Sequence, residues 1–321
     1  MVGDYKKYIE EISNKTGFIK STLEKVERLL NILEWINNHQ SLSKLLALKG
    51  GTAINTIVFN FPRLSVDIDM DFIENLSKNE MIREREFIHN LIIQYLNAND
   101  YKINIEKSKK AYALDSIVAE YEDIRGNIDN IKIEINYMKR VHILETKQLR
   151  IDTDIFEDKK FKIHCIHPIE VYAAKICALL NRTTARDLFD VYTLSKYDLF
   201  DKKEKNLLRK CFMLEYIAIN NYKIEGMNIE RIEKLDKQDI KIKLLPTLKN
   251  RNPKNNNVDE MKQVVREYLK DILIIDDATK EFYDKFQKGM FEPELLFDSE
   301  KNINKIKEHP MIMWKLNKTN N

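Results

Sequence analysis

Residues 66–72, Val66-Asp67-Ile68-Asp69-Met70-Asp71-Phe72, carry the clearest structural pattern in the chain. Apolar and acidic residues alternate here with a period of two, which predicts a strand with one buried face and one face carrying three aspartates. Asp is depleted in strands, and neighbouring like charges repel each other. A solvated strand face is the ordinary explanation of such alternation, but it normally mixes Lys, Thr and Glu. The row of aspartates therefore favours a site for a divalent cation such as Mg²⁺, which takes one or two carboxylates together with substrate phosphates.

A pair of glycines lies shortly before this strand, between a short apolar run and a helix-like segment. The run and the pair read Leu45-Leu46-Ala47-Leu48-Lys49-Gly50-Gly51-Thr52. Glycines at such a junction let the backbone approach a ligand closely, and the helix start offers unpaired N–H groups to a phosphate. Thr52 would cap that helix or bond a phosphate oxygen. Because tight-turn geometry alone also explains a glycine pair, the pair is informative only together with the aspartates.

A third carboxylate occurs in a later strand pattern, residues 130–137. Isoleucines alternate there with polar residues, and Glu134 falls on the polar face beside Lys132. If the two strands are neighbours, Glu134 would bind a metal ion near the acceptor and help to deprotonate its hydroxyl. An ordinary exposed Glu next to a Lys is an equally good explanation of Glu134 taken alone.

The periodicity along the chain predicts an α+β protein. Helical spacing covers residues 5–38 and 78–97; strand candidates cover 101–106, 113–121, 130–137 and parts of 141–165. From Pro168 onward the pattern is helical, with proline at a position that tolerates a missing N–H. We therefore expect a small mixed β-sheet core with flanking helices in residues 1–165, followed by a helical-bundle domain in residues 166–321.

Composition excludes several classes of protein. The chain has 321 residues, three widely spaced cysteines and only seven glycines, which argues against disulfide scaffolds, zinc motifs and turn-rich all-β folds. The first residues lack the apolar core of a signal peptide, and no apolar run is long enough to span a membrane. We expect a cytoplasmic protein. The net charge of +3 is small, and its slight basic excess in residues 201–321 permits a nucleic-acid partner without requiring one.

The helical half contains one cluster of charged residues with regular spacing. Lys175 and Arg182 share a helix face at i and i+7, so their cations project together and would approach a triphosphate. Asp187 and Asp190 follow at i and i+3. The alternative explanation is structural, with Asp187 pairing with Arg182 or Arg186 to stabilise the bundle.

Together these motifs resemble the minimal nucleotidyltransferase pattern of the polymerase β superfamily. More closely, they are similar to the AbiEii/AbiGii nucleotidyltransferase toxins in three segments: Lys49-Gly50-Gly51-Thr52-Ala53 with Arg63-Leu64-Ser65-Val66-Asp67-Ile68-Asp69; Lys175 to Arg182; and Arg186-Asp187-Leu188-Phe189-Asp190. The similarity covers about residues 45–195, and residues 200–321 carry no motif of the family beyond a general helical character.

The resemblance implies roles for individual residues. Asp67, Asp69 and Glu134 would hold Mg²⁺ or Mn²⁺. The catalytic set would be Asp67, Asp69, Glu134, Lys175, Asp187 and Asp190. The NTP would be bound by Lys49, Gly50, Gly51, Thr52, Arg63, Ser65, Lys175 and Arg182.

The implied reaction is transfer of a nucleoside monophosphate from an NTP to an acceptor hydroxyl, with pyrophosphate leaving. Relatives suggest an RNA acceptor, notably the 3′ end of tRNA. The physiological role would be that of a toxin in a toxin–antitoxin or abortive-infection pair, silenced by a separately encoded antitoxin. Two alternatives stay open: nucleotidylation of a protein hydroxyl, and a non-catalytic protein that binds nucleotide or a partner on the same fold.

Overall fold

A computed structural model describes residues 2–235, 237–249 and 257–319. The chain divides into two compact units. Unit 1 consists of Met1–Arg140, Thr146–Ile166 and Pro246–Asn250, and unit 2 consists of Val141–Glu145, His167–Leu245 and Arg251–Asn321.

Unit 1 is built on one mixed sheet of eight strands. The strands are β1 Leu46–Lys49, β2 Asp67–Phe72, β3 Lys102–Ile103, β4 Lys109–Ala111, β5 Leu114–Glu122, β6 Ile128–Asn136, β7 Lys147–Asp152 and β8 Lys160–Cys165. Their order is β3-β5-β6-β2-β1-β8-β7, with β4 paired to β5. The β2–β6 and β1–β8 pairs are parallel, and the remaining pairs are antiparallel. The predicted α+β fold with a mixed sheet is confirmed.

Helices flank this sheet. They are α1 Val2–Thr16, α2 Lys20–Asn38, α3 Leu42–Leu45, α4 Gly50–Ala53, which continues as a π-helix over Ile54–Val58, and α5 Lys78–Ala98. The apolar face of α2, including Leu23, Leu30 and Leu33, packs into the same core as the isoleucines of β6. Helix α5 begins with a capping box, in which Ser77 and Glu80 each accept a hydrogen bond from the other's backbone N–H. Burial of an apolar face stabilises α2, and a capping box stabilises the start of α5.

The single helix predicted over residues 5–38 is wrong, because the chain breaks between α1 and α2. Gly17 takes a φ of +79° and its N–H bonds to the Ser13 carbonyl, which ends α1. Phe18 follows the break and is buried, so the apolar periodicity continues across a turn that only glycine adopts without strain. Periodicity alone therefore concealed the break.

The regular elements of unit 2, among its described residues, are all helices. Its α-helices are α6 Pro168–Arg182, α7 Ala185–Tyr197, α8 Lys202–Met213, α9 Lys237–Asp239, α10 Val258–Ile272, α11 Asp277–Gln287, α12 Glu300–Lys307 and α13 Pro310–Thr319. A π-helix, Leu214–Ile219, extends α8, and a 3₁₀-helix spans Ile229–Lys234. Within the part of the chain that the structure describes, no helix is long and apolar enough to cross a membrane.

Candidate active site

The three predicted metal-binding carboxylates lie on two adjacent strands of unit 1. Strands β2 and β6 run parallel, with Asp67 opposite Lys132 and Asp69 opposite Glu134. Residues paired in this way point to the same side of a sheet, so Asp67, Asp69 and Glu134 share one face. Asp67, Asp69 and Glu134 are all half-buried. The sheet topology thus brings together carboxylates that are more than sixty residues apart in the sequence.

The first glycine of the pair packs directly against one of these carboxylates. Gly50 has a φ of +68°, and a Cβ at this position would lie 2.5 Å from the Asp69 Oδ2 atom. No other residue fits, because the backbone is left-handed and the space for a side chain is already filled by the aspartate. Glycine is therefore needed at position 50 because the backbone there lies directly against the Asp69 carboxylate.

The second glycine packs against a cation and a hydroxyl. A Cβ on Gly51 would lie 3.0 Å from both the Arg63 Nη2 and the Ser65 Oγ atoms. Arg63 is 2% exposed, and its Nη1 donates to the Leu64 carbonyl at 3.0 Å. Arg63 and Ser65 thus support the Gly50-Gly51 turn from the protein side.

Thr52 lies inside the first turn of α4 and does not cap it, since the residue preceding the helix is Lys49. Its side chain is fully buried. Its hydroxyl donates to the Asp67 carbonyl at 2.5 Å and lies 3.1 Å from the Ser65 Oγ atom. Of the two roles expected for Thr52, capping is wrong. The structure shows a hydroxyl that links the glycine turn to the backbone of Asp67.

Two lysines neutralise carboxylates on the same sheet face. The Lys49 ammonium lies 2.5 Å from the Asp71 Oδ1 atom, although Lys49 is paired in register with Asp69. The Lys132 ammonium lies 2.8 Å from the Glu134 Oε1 atom. Lys49 therefore forms its ion pair with Asp71, which is 2% exposed. Glu134 is neutralised by Lys132 on the same strand.

Among the described residues, no group of three His, Cys, Asp or Glu side chains is arranged so that it could hold a metal ion. A site of two carboxylates is nevertheless enough for Mg²⁺ when substrate phosphates supply further oxygens. Asp67 and Asp69 are oxygen donors at i and i+2 on one strand face, and both are accessible in part. Their donor set fits a hard divalent cation, with Glu134 on the adjacent strand.

The charged residues predicted in the helical half form a second cluster, within unit 2. The Lys175 ammonium lies 2.9 Å from the Asp187 Oδ1 atom and 3.0 Å from the Asp190 Oδ2 atom. Arg182 binds Asp187 through two hydrogen bonds, from Nε at 2.7 Å and from Nη2 at 2.9 Å. Lys175 is 7% exposed and both aspartates are 1% exposed. The two cations expected to project together do so, and both contact the same buried carboxylate.

Asp187 also organises the junction between α6 and α7. Thr184 caps α7: its hydroxyl accepts from the Asp187 N–H and lies 2.7 Å from the Asp187 Oδ2 atom, to which it donates. Burial by itself would raise the pKa of Asp187, but Lys175, Arg182 and the Thr184 hydroxyl outweigh it and hold that pKa well below its ordinary value. Asp187 is therefore charged at neutral pH and stabilises the helix junction.

Three residues of these clusters were not predicted as part of the site. Lys132 forms an ion pair with Glu134, and Asp71 forms one with Lys49. Thr184 donates a hydrogen bond to Asp187. A Thr three residues before an Asp is a recognisable helix-start signal, so Thr184 was predictable. The alternation around Lys132 places it on the Glu134 face, which is also visible in the sequence. The diagonal pairing of Lys49 with Asp71 depends on strand register and has no local signal.

Comparisons with known proteins identify the fold and the family of the chain. No curated protein sequence matches the chain. In fold it is similar to the nucleotidyltransferase toxin MenT4 from Mycobacterium tuberculosis H37Rv, with a TM-score of 0.64 and 11% identity over 96% of this chain and 98% of that chain. The family described as nucleotidyl transferase AbiEii toxin, type IV TA system, matches residues 32–300. This match spans most of the sequence, and the protein accordingly belongs to the AbiEii nucleotidyltransferase toxins of type IV toxin–antitoxin systems, enzymes that use an NTP as substrate.

Proposed function

We propose that this toxin transfers a nucleoside monophosphate to a hydroxyl of an RNA acceptor, such as the 3′ end of tRNA, in a reaction that depends on Mg²⁺. It would act in the cytoplasm, in abortive infection, under the control of its separately encoded antitoxin. The observation that carries the proposal is the packing of the Gly50-Gly51 turn against Asp69 and Arg63. This packing places a half-buried carboxylate, that of Asp69, directly beside a glycine backbone that a phosphate can approach closely.

The proposed roles in unit 1 follow from the contacts there. Gly50 and Gly51 would present backbone N–H groups to the triphosphate, while Arg63, Ser65 and Thr52 hold the turn against the sheet. Lys49 would contribute to the nucleotide site through its pairing with buried Asp71.

Asp67 and Asp69 would hold the divalent ion, with Glu134 completing the acceptor side. When bound, the ion would neutralise charge on the phosphoryl group and its leaving oxygens. The protein's own contribution is to fix the two carboxylates on a strand beside the glycine turn, which positions NTP and acceptor for in-line attack. Glu134 is held by Lys132 at 2.8 Å and would exchange this partner for the acceptor-side ion.

We further propose that residues 1–165 form the transferase core and that residues 166–321 contribute Lys175, Arg182, Asp187 and Asp190. Lys175 would stabilise charge on the triphosphate, assisted by Arg182. Because the Lys175 ammonium contacts both aspartates, their part would be to keep it charged and oriented.

The experiment is a label-transfer assay. The purified protein is incubated with Mg²⁺, one α-labelled NTP at a time, and total tRNA. We expect label in tRNA from the wild type, none after chelation of divalent ions, and a loss of about 10²–10³-fold in Asp67→Asn and Asp69→Asn, since a metal-binding carboxylate contributes several kcal/mol.

The matched control is Asp152→Asn, an exposed aspartate on β7 that is paired with Arg150 and Lys160. It removes the same charge from the same sheet and should leave transfer unchanged. Label that migrates with protein would favour protein nucleotidylation. NTP binding without any transfer would favour the non-catalytic alternative, and both results would contradict the RNA proposal.

A further inference from the structure

Unit 2 contains a cleft beside the end of α6. It has a volume of about 440 Å³, and its lining includes Arg182, Thr183, Arg231, Lys234, Leu235 and Asp239. Arg182 is the last residue of α6, and the 3₁₀-helix Ile229–Lys234 provides the opposite wall. All of these residues belong to unit 2, so the cleft is a property of that unit alone.

Basic side chains dominate the charge of this cleft. Asp239, its acidic lining residue, forms an ion pair with Lys243 at 2.5 Å. Arg231 donates from Nη1 to the Leu180 carbonyl at 3.3 Å. Within the described residues, neither Arg231 nor Lys234 is paired with a carboxylate, and both are exposed. Among the described residues, the cleft thus contains two exposed cations that form no ion pair.

Arg182 adds a third cation whose position is fixed. Its side chain is 63% exposed, yet two hydrogen bonds tie its guanidinium to buried Asp187. A planar guanidinium held in this way is already ordered, so less conformational entropy is lost when it meets an anion. The cleft wall therefore has one ordered guanidinium beside two exposed cations.

A second, wider cleft adjoins the first and shares Arg231 and Lys234. It has a volume of about 890 Å³, and its lining also includes Asn228, Glu230, Glu233 and Arg266. Glu233 is paired with Arg266, so that pair adds no net charge, and Glu230 adds one negative charge against the cations of Arg182, Arg231 and Lys234. We refer to the two clefts together as the basic groove. Arg231 and Lys234 line both clefts and Arg182 lines one of them, so the groove carries cations at more than one place, as contact with an extended polyanion requires.

We propose that the basic groove binds the phosphodiester backbone of the RNA acceptor. The inference rests on the proposed RNA-directed function and names the surface that would hold the RNA. Arg and Lys side chains that neutralise phosphates release counterions, which favours binding without any reading of the bases. The groove would therefore position RNA of many sequences, and selection of the acceptor hydroxyl would occur at the transferase core.

The experiment measures tRNA binding in the absence of NTP and divalent ions, so that it does not depend on catalysis. Affinity of the full-length protein for labelled total tRNA is measured between about 50 and 200 mM salt. The groove variant carries Arg231→Gln and Lys234→Gln, which keep the apolar stems. We expect roughly tenfold weaker binding and a salt slope lower by about 1.4–1.8, because each phosphate contact contributes about 0.7–0.9.

The matched control carries Lys280→Gln and Lys288→Gln. Both lysines are exposed; Lys280 lies in α11, and Lys288 is the residue that follows α11. It removes the same charge outside the groove and should change affinity less than about twofold, because general attraction falls equally in both variants. Equal weakening in the two variants would overturn the inference and leave the proposed function standing.

Two further outcomes separate the competing explanations. A groove variant that loses NTP affinity and keeps tRNA affinity would overturn the inference in favour of a triphosphate site. A wild-type protein that binds no tRNA, while labelling a protein, would overturn the RNA proposal itself. If the double variant does not fold, Lys234→Gln alone should lower the salt slope by about half as much, and an unchanged slope would count against the groove.

Discussion

The two carboxylate clusters contain similar residues in opposite environments. On β2, Asp67 and Asp69 are half-buried on an open sheet face beside a glycine turn. In unit 2, Asp187 and Asp190 are 1% exposed and both contact the Lys175 ammonium. A carboxylate that is accessible can take up a cation and phosphate oxygens, whereas a buried one must have its partner within the protein.

This difference separates two kinds of charged cluster in one protein. On the sheet face, Asp67 and Asp69 are accessible in part, so we expect their removal to affect the reaction more than the fold. Charge in the helical cluster is already neutralised, so its removal should affect the fold at least as much as the reaction.

Replacing Lys175 with Met should lower the free energy of unfolding by about 3–5 kcal/mol, because it removes the cation between two buried carboxylates and replaces it with an apolar group. Urea denaturation measures the change. Lys262→Met is the control: that lysine is also buried, but it donates to the backbone carbonyls of Glu233 and Leu235, and the Glu233 carboxylate near it, at 3.8 Å, is half-exposed. We expect a smaller loss there, about 1–3 kcal/mol. A Lys175→Met loss no greater than the control's would break the proposed distinction.

Gly50→Ala should reduce nucleotidyl transfer at least tenfold, since its Cβ would displace the Asp69 carboxylate, and should cost about 1–2 kcal/mol of stability from the left-handed backbone. Label transfer and urea denaturation measure the two effects. Gly126→Ala provides the comparison, because Gly126 has a φ of +83° but its Cβ would lie 3.7 Å from the nearest atom. It should show the same backbone cost with normal transfer, and equal transfer by both variants would exclude the Asp69 contact as the cause.

The sequence was sufficient for features that depend on local pattern. Alternation over residues 66–72 predicted the strand observed at Asp67–Phe72, and helical spacing over 78–97 predicted the helix at Lys78–Ala98. The family resemblance and the nucleotidyltransferase activity it implied are confirmed by the match over residues 32–300. The break at Gly17 was missed because buried Phe18 preserves the apolar period.

Features that depend on distant contacts could not be predicted in this way. The Arg63 guanidinium against Gly51 and the Thr52 hydroxyl on the Asp67 carbonyl arise from the packing of α4 on β2. Nor does helical spacing reveal that Lys175 would meet Asp187 and Asp190 in a buried cluster, since the turn between α6 and α7 sets that geometry. The assigned roles of these residues remain predictions.

Thr52→Val should lower the free energy of unfolding by about 1–2 kcal/mol, because it keeps the shape of a fully buried side chain but removes the hydroxyl that bonds the Asp67 carbonyl. Transfer activity should fall as well, and Thr52→Ser should restore most of both. Thr56→Val is the control on the same helical segment: that hydroxyl donates to the Thr52 carbonyl within the helix, and its loss should cost less. If both valine variants lose equal stability and activity, the link from the glycine turn to β2 has no special importance.

Acidification tests the helical cluster through Asp187. Its pKa is lower in the folded protein than in the unfolded chain, so its stabilising contribution is complete above the ordinary Asp range near pH 4 and is lost as the pH falls toward the lowered pKa. At about pH 3 this contribution should be smaller by roughly 1 kcal/mol than at pH 7.

Other carboxylates titrate in the same range, so the informative quantity is the difference in stability between the wild type and a variant. Asp187→Asn should be less stable than the wild type at pH 7, yet lose less stability between about pH 5 and 3, as measured by urea denaturation across that range. If the unfolding free energies of the two proteins change with pH in parallel, the Asp187 charge does not stabilise the fold, and the proposed distinction between the two carboxylate clusters is wrong.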